Sequence, residues 1–240
     1  MTKRCFFVGA GFFWCLFSPS VFAADPARED ATLEPEAEFA VRTGQAEYSS
    51  PEDLIGKPRK LQLNVTSWDH NGHYVIRAES DIDCIYPLPV RDFVEVLLDY
   101  EHTKEYYPRV VESELKHTSE DPYGKHTLLV HISIEVLGIG ENYYYATNNW
   151  MERHNRGFVQ KFNLAESPDG RFYQMLGNWY LEELEIRGRK HTYVRQYSIL
   201  GIRRGSGAME VAIKAFGTLN LKFLFKNLYH AAKNHGSSPD

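Results

Sequence analysis

The chain has 240 residues with 27 basic against 32 acidic side chains, a net charge of -5 and 14% aromatic residues. That balance leaves no basic footprint for nucleic acid, and no stretch interleaves basic with aromatic residues as single-strand binders do, so nucleic acid is not an expected partner. The length is enough for one domain with a sizeable core.

Lys3 and Arg4 precede an apolar run from Phe6 to Phe17, Pro19 interrupts it, and Val21-Phe22-Ala23 precedes a cut before Ala24. The run is too short for the roughly twenty residues of a membrane span, so residues 1–23 read as a cleaved signal peptide. The expected location is across a membrane, in a bacterial periplasm. Cleavage leaves Cys84 as the only cysteine, so no intrachain disulfide is expected, the core must hold the fold, and Cys84 reads as a small buried residue. Residues 24–59 are rich in Ala, Glu, Asp and Pro without a sustained apolar period, which reads as a flexible acidic leader.

From Lys60 the pattern changes. Leu61, Leu63 and Val65 alternate with polar residues, Asn71-Gly72 supplies a turn, and Tyr74 to Cys84 resumes as a strand, so a hairpin is expected. Pro87 and Pro89 prime a helix carrying Phe93, Val94, Leu97 and Leu98, and a second short helix over Tyr100–Tyr107 stops at Pro108. Strands are then expected over residues 109–117, 125–137, 141–153, 158–166, 171–186 and 191–202, each bounded by turn residues. A helix over 208–233 closes a domain spanning 60–235, with 236–240 as a tail. The fold class is α+β, with an antiparallel sheet that must bend or close to avoid a flat exposed surface.

No nucleophile elbow, zinc-protease pair or complete phosphate loop occurs, and the histidines lack metal-ligand spacing. No catalytic pair, metal or cofactor is expected. The aromatic residues are the strongest positive feature: Tyr145, Trp179 and Tyr197 fall in strands, each with an apolar face and a polar tip. Ile132 and Ile134 share the apolar side of their strand with Leu128, Val130 and Val136. Arg195 is of interest if its face is the inner one, where a buried guanidinium needs an anionic partner or a ligand head group; an outward salt bridge is the alternative. In the last helix, Met209, Ala212, Phe216, Leu219 and Phe223 lie on one side, whereas Leu221, Leu224, Phe225, Leu228 and Ala232 lie on roughly the opposite side. Either the helix breaks near Gly217, or its second half, edged by Lys222, Lys226 and Lys233, meets something other than the cavity, such as a membrane surface.

The stretch "LPVRDFVEVLLDYEHTKEYYPRVVES" (88–113), the strand pair "GNWYLEEL" and "HTYVRQYSI", the meander and the long last helix together resemble the START-like (SRPBCC) superfamily. This is the helix-grip fold of lipid-transfer domains, polyketide cyclases and coenzyme Q-binding proteins. The resemblance covers Tyr74 to about Lys233. It implies a curved sheet wrapped around the C-terminal helix, two short helices after the first family strand, and a cavity between sheet and helix. The ligand-facing residues expected there are Ile132, Ile134, Tyr145, Trp179, Arg195, Tyr197, Phe216 and Leu219. The function expected is binding or transfer of a lipid or other hydrophobic small molecule, as a carrier or sensor rather than a catalyst. A cyclase/aromatase-like enzyme using the same cavity and an envelope protein-binding module with a filled core are the alternatives.

Overall fold

The computed structural model describes residues 41–136 and 139–236, without the side chains of 134–141. The expected signal peptide (1–23), the first part of the expected leader (24–40) and residues 237–240 of the expected tail lie outside them. Eight strands follow in chain order: β1 (Arg59–His70), β2 (His73–Tyr86), β3 (Val110–His117), β4 (His126–Val136), β5 (Ile139–His154), β6 (Gly157–Glu166), β7 (Phe172–Ile186) and β8 (Arg189–Ile202). Between β2 and β3 stand α1 (Val90–Leu98), a 3-10 turn at Tyr100–His102 and α2 (Thr103–Tyr106), and α3 (Gly207–His235) ends the fold. All strands pair antiparallel, in the order β1-β2-β8-β7-β6-β5-β4-β3. The meander of sequential hairpins is therefore closed onto the first hairpin by β8 pairing with β2, and β1 and β3 form its edges.

Turn chemistry sets the register. Asn71 and Gly72 at the β1–β2 turn have φ of 51° and 79°, and Arg187 and Gly188 at the β7–β8 turn have 52° and 70°. Two successive left-handed residues are what a tight hairpin needs to match strand twist. Pro89 stands at the N-terminal cap of α1 with extended backbone, as its fixed φ and missing N–H favour.

One sheet face packs on the helices and is the inner face. Ile82, Cys84 and Tyr86 of β2, Trp179 and Leu181 of β7 and Val194 of β8 form one cluster with Phe93 and Leu97 of α1 and with Leu224, Phe225, Leu228 and Ala232 of α3. The Tyr86 hydroxyl donates to the Phe225 carbonyl (3.0 Å), and its ring stacks on Tyr229 at 4.8 Å, tying β2 to α3. Cys84 is fully buried and its thiol is pushed up to about 12 by burial, so it is an inert core thiol.

The outer face of β2, β7 and β8 is covered as well. Residues 41–58, expected to belong to a flexible leader, run across it as a strap, so packing begins well before residue 60. Asn178 receives the Arg42 N–H on its Oδ1 (2.8 Å) and donates back to the Arg42 carbonyl (3.0 Å); the Ala46 N–H reaches the Tyr193 hydroxyl (3.0 Å). Leu54 is buried against Ile85, Tyr180 and Tyr193, and Ile55 bridges in parallel to Ile85. Low apolar content hid this because the strap is held largely by hydrogen bonds to polar groups of the sheet, with Leu54 as its one fully buried apolar anchor.

Candidate functional site

The inner face is not uniformly filled. Every fully buried residue of α3 belongs to its second half, whereas the stretch of sheet beyond it carries half-buried apolar side chains: Ile132, Tyr145, Phe162, Leu164, Met175 and Leu200. Ile132 and Tyr145 bridge two core clusters, one under Met209 and Ile213 of α3 and one against Tyr100. The Tyr145 ring meets Phe172 edge-on at 5.4 Å. These side chains pack on the core clusters yet stay partly open, which leaves apolar surface on the helix-facing side of the sheet, called the concave face below.

Tyr107 forms the rim. The chain leaves α2 at Tyr106, whose ring is buried, and Pro108 turns it into β3. Tyr107 is thereby turned inward, and its hydroxyl accepts from Trp179 Nε1 at 3.1 Å. Trp179 is itself fully buried, 5.4 Å from the Phe225 ring. Burial pushes the Tyr107 phenol up to about 12, opposed by the bond from Trp179, and burial raises Tyr145 further. Both phenols therefore stay neutral at ordinary pH and serve as hydrogen-bond donors and acceptors rather than bases. The Tyr145 hydroxyl has no hydrogen-bond partner among the described residues. A second polar spot lies on β8, where Ser198 and Ser80 share a hydrogen bond of 2.8 Å and the buried Gln196 Oε1 is unpartnered. A buried acceptor left open costs free energy until something donates to it.

Ile132, Tyr145 and Trp179 are thus brought to one face. The Ile134 side chain lies outside the described residues. Arg195 and Tyr197 were expected beside Trp179 and are on the other side of the sheet: Trp179 pairs directly with Gln196, so strand alternation sends 195 and 197 outward. There Arg195 makes a two-pronged ion pair with Asp81 (Nε 2.9 Å, Nη2 2.6 Å), and the Tyr197 hydroxyl donates to Glu79 (2.9 Å). The outward salt bridge is the alternative the structure takes. Phe216 and Leu219 also depart from expectation. They are 51% and 48% exposed, with Phe223 at 47%, on the solvent side of an unbroken α3. Gly217 faces inward instead, close enough that a Cβ would stand 3.2 Å from Leu63. Of the two apolar stripes, the second-half one grips the core, whereas the first divides: Met209 packs on the sheet and Phe216, Leu219 and Phe223 are left outside.

Sequence reasoning missed Gln196 and Ser198 and did not name Tyr107 among the ligand-facing residues. Tyr107 was visible as the last ring before Pro108, and Gln196 follows from Arg195 by one step of parity.

No family model and no curated protein matches the sequence. Solved structures are similar in fold. The Zhui aromatase/cyclase from Streptomyces sp. R1128 has a TM-score of 0.52 at 14% identity, over 68% of this chain and 97% of its own. A STAR-related lipid transfer protein from Xanthomonas axonopodis has 0.50 at 14%, over 71% and 98%. Human STARD10 has 0.51 at 14%, over 72% and 74%. Antiparallel sheet, paired short helices and gripping C-terminal helix give this chain the helix-grip fold of these START-like proteins.

Proposed function

We propose that the protein binds a lipid or another largely apolar small molecule on its concave face and carries or presents it. The observation that carries this reading is the half-buried row from Ile132 to Leu200 together with the unpartnered Tyr145 hydroxyl and Gln196 Oε1. Apolar burial is worth about 25 cal/mol per Å², so a chain or ring can be held by that row while the polar groups orient one end. Two solved neighbours, the Xanthomonas protein and human STARD10, support the reading by fold, the former being named as a lipid transfer protein. On the signal-like residues 1–23 we place the protein across a membrane, in a periplasm.

The exposed Phe216, Leu219 and Phe223, with Lys222 and Lys226 beside them on α3, fit a transient contact with an anionic membrane surface from which such a cargo is taken. The neighbouring aromatase/cyclase keeps an enzymatic use of the same face as the second reading. In favour of it, His126 is buried on the inner side against Tyr100 at 5.0 Å with its Nδ1 unpartnered.

Native mass spectrometry with organic extraction of the protein from its own compartment tests the proposal. A defined hydrophobic molecule at near-stoichiometric occupancy is expected, with occupancy reduced several-fold in Tyr145→Phe and unchanged in Tyr197→Phe. A ligand-free mass, under conditions that keep a known lipid carrier loaded, would overturn it.

A further inference from the structure

A cavity of about 440 Å³ lies away from the concave face, between the strap, the start of β1 and the middle of α3. That volume falls in the range of about 300–1,000 Å³ usual for small-molecule sites. Lys57, Arg59, Lys60 and Lys222 line it, with Asp53 as the only carboxylate of its lining. Arg59 is already neutralised by Asp83 at 2.6 Å. The ammonium groups of Lys57, Lys60 and Lys222 have no hydrogen-bond or ion-pair partner among the described residues. Three unpaired positive charges against one negative charge around one hollow, in a chain of net charge -5, make a local field of the opposite sign to that of the molecule.

The lysines come from three elements that fix them. Lys57 sits in a turn whose backbone is pinned by Gly56 N–H to the Ile85 carbonyl (2.8 Å) and by the left-handed φ of 68° at Gly56. Lys60 is the second residue of β1, and Lys222 stands on the exposed side of α3. The remaining wall is of another kind: Tyr48, whose ring stacks on Tyr193 at 6.4 Å, and the buried Leu54. The hollow thus has a cationic side that suits a phosphate and an apolar-aromatic side that suits the organic body attached to it.

We infer that this cavity is a binding site for a phosphate-bearing organic anion, separate from the concave face. The chemistry is shared by a phospholipid headgroup and a free phosphorylated small molecule. The position of Lys222, next to the exposed Phe223 on α3, puts the site at the border of the apolar face, within reach of either source.

The test uses the full chain with three probes: inorganic phosphate, glycerol phosphate, and vesicles of phosphatidylcholine with or without phosphatidic acid. Calorimetric titration at low salt is expected to show glycerol phosphate binding more tightly than inorganic phosphate, because only the former reaches Tyr48 and Leu54. Affinity should fall as ionic strength rises. The Lys57→Gln/Lys60→Gln/Lys222→Gln variant should bind at least 10-fold more weakly, whereas Lys104→Gln, an exposed lysine of α2, should match the parent. Since all three lysines are exposed, the variant should keep the parent's thermal melt. Binding of the soluble phosphates with no preference for phosphatidic acid vesicles assigns a free small molecule. Vesicle binding that depends on phosphatidic acid and on Lys57 and Lys60, which lie off α3, assigns a headgroup. Absence of binding to all three probes, or binding unaltered in the triple variant, overturns the inference. Occupancy of the concave face is read separately by mass spectrometry, so either site fails without the other.

Discussion

Arg195 and Asp81 face each other on the outer side of the sheet with side chains only 12% and 5% exposed, and their two-pronged contact also raises the Arg195 pKa. Removing one member of such a pair strands the other charge in a place already stripped of water. Asp81→Ala is therefore expected to lose roughly 3–5 kcal/mol of unfolding free energy in urea titration, with the concave-face ligand still bound by the surviving folded fraction. Tyr145→Phe should do the opposite: it costs under about 1 kcal/mol of stability, because no protein hydrogen bond is lost, yet weakens ligand binding by about 5-fold for one lost hydrogen bond. If Asp81→Ala released the ligand at full folding, the assignment of Arg195 to the outer network would be wrong. The pairing was legible as a choice between two faces, and the choice itself was not. β8 alternates Tyr193, Arg195, Tyr197 and Ile199 on one side with Val194, Gln196, Ser198 and Leu200 on the other. Both sides carry large apolar residues because the strap covers the outer one, so the usual contrast between wet and dry faces is erased.

At the level of elements, α3 shows the same ambiguity. Its boundaries were readable, from Ser206 accepting the Met209 N–H at the cap (3.2 Å) to the lysine and histidine of its last turn. Its orientation was not, because two apolar stripes compete and only contact with β1, β2 and α1 decides between them. Beside the apolar contact of Met209 and Ile213, its first half has a polar fastening. Glu210 receives Ser67 of β1 (2.7 Å), the Tyr74 hydroxyl of β2 and Lys214 one turn on. Those bonds, Lys214 foremost, hold its carboxyl down to about 2, from an ordinary 4.5. A carboxylate depressed in the folded state contributes stability that is complete above its unfolded pKa and is lost as pH falls through the folded one. The contribution of Glu210 is therefore present above about 4.5 and disappears toward pH 2. Comparing the melting temperature across that window, Glu210→Gln should show a shallower acid decline than the parent, with the two curves running parallel above pH 5. An equally steep decline in both would remove Glu210 as the acid-sensitive fastening of α3.

For the molecule as a whole, the sheet works as a partition. Its inner face holds helices and the proposed cargo, and its outer face carries the ionic lattice of Arg59–Asp83, Arg195–Asp81 and Tyr197–Glu79 under the strap. The strap adds hydrogen bonds donated by the Arg42 and Ala46 N–H groups, one accepted by the Gly44 carbonyl from Arg195, and the buried Leu54. Each bond is worth about 1 kcal/mol net and the leucine about 2 kcal/mol, partly offset by ordering a segment without regular structure. A chain beginning at Arg59 should then be less stable than one beginning at Val41 by roughly 2–4 kcal/mol, which in a domain of this size lowers the melting temperature by about 5–15 °C. Because the strap touches none of the concave face, both chains should be stabilised equally by the same cargo, by about 2.7 kcal/mol at a hundredfold excess over Kd. The anion site should differ, since Tyr48, Leu54 and Lys57 leave with the strap: glycerol phosphate should protect only the longer chain. Equal protection of both by glycerol phosphate would place the anion elsewhere, and loss of cargo protection in the shorter chain would mean that the two faces are not independent.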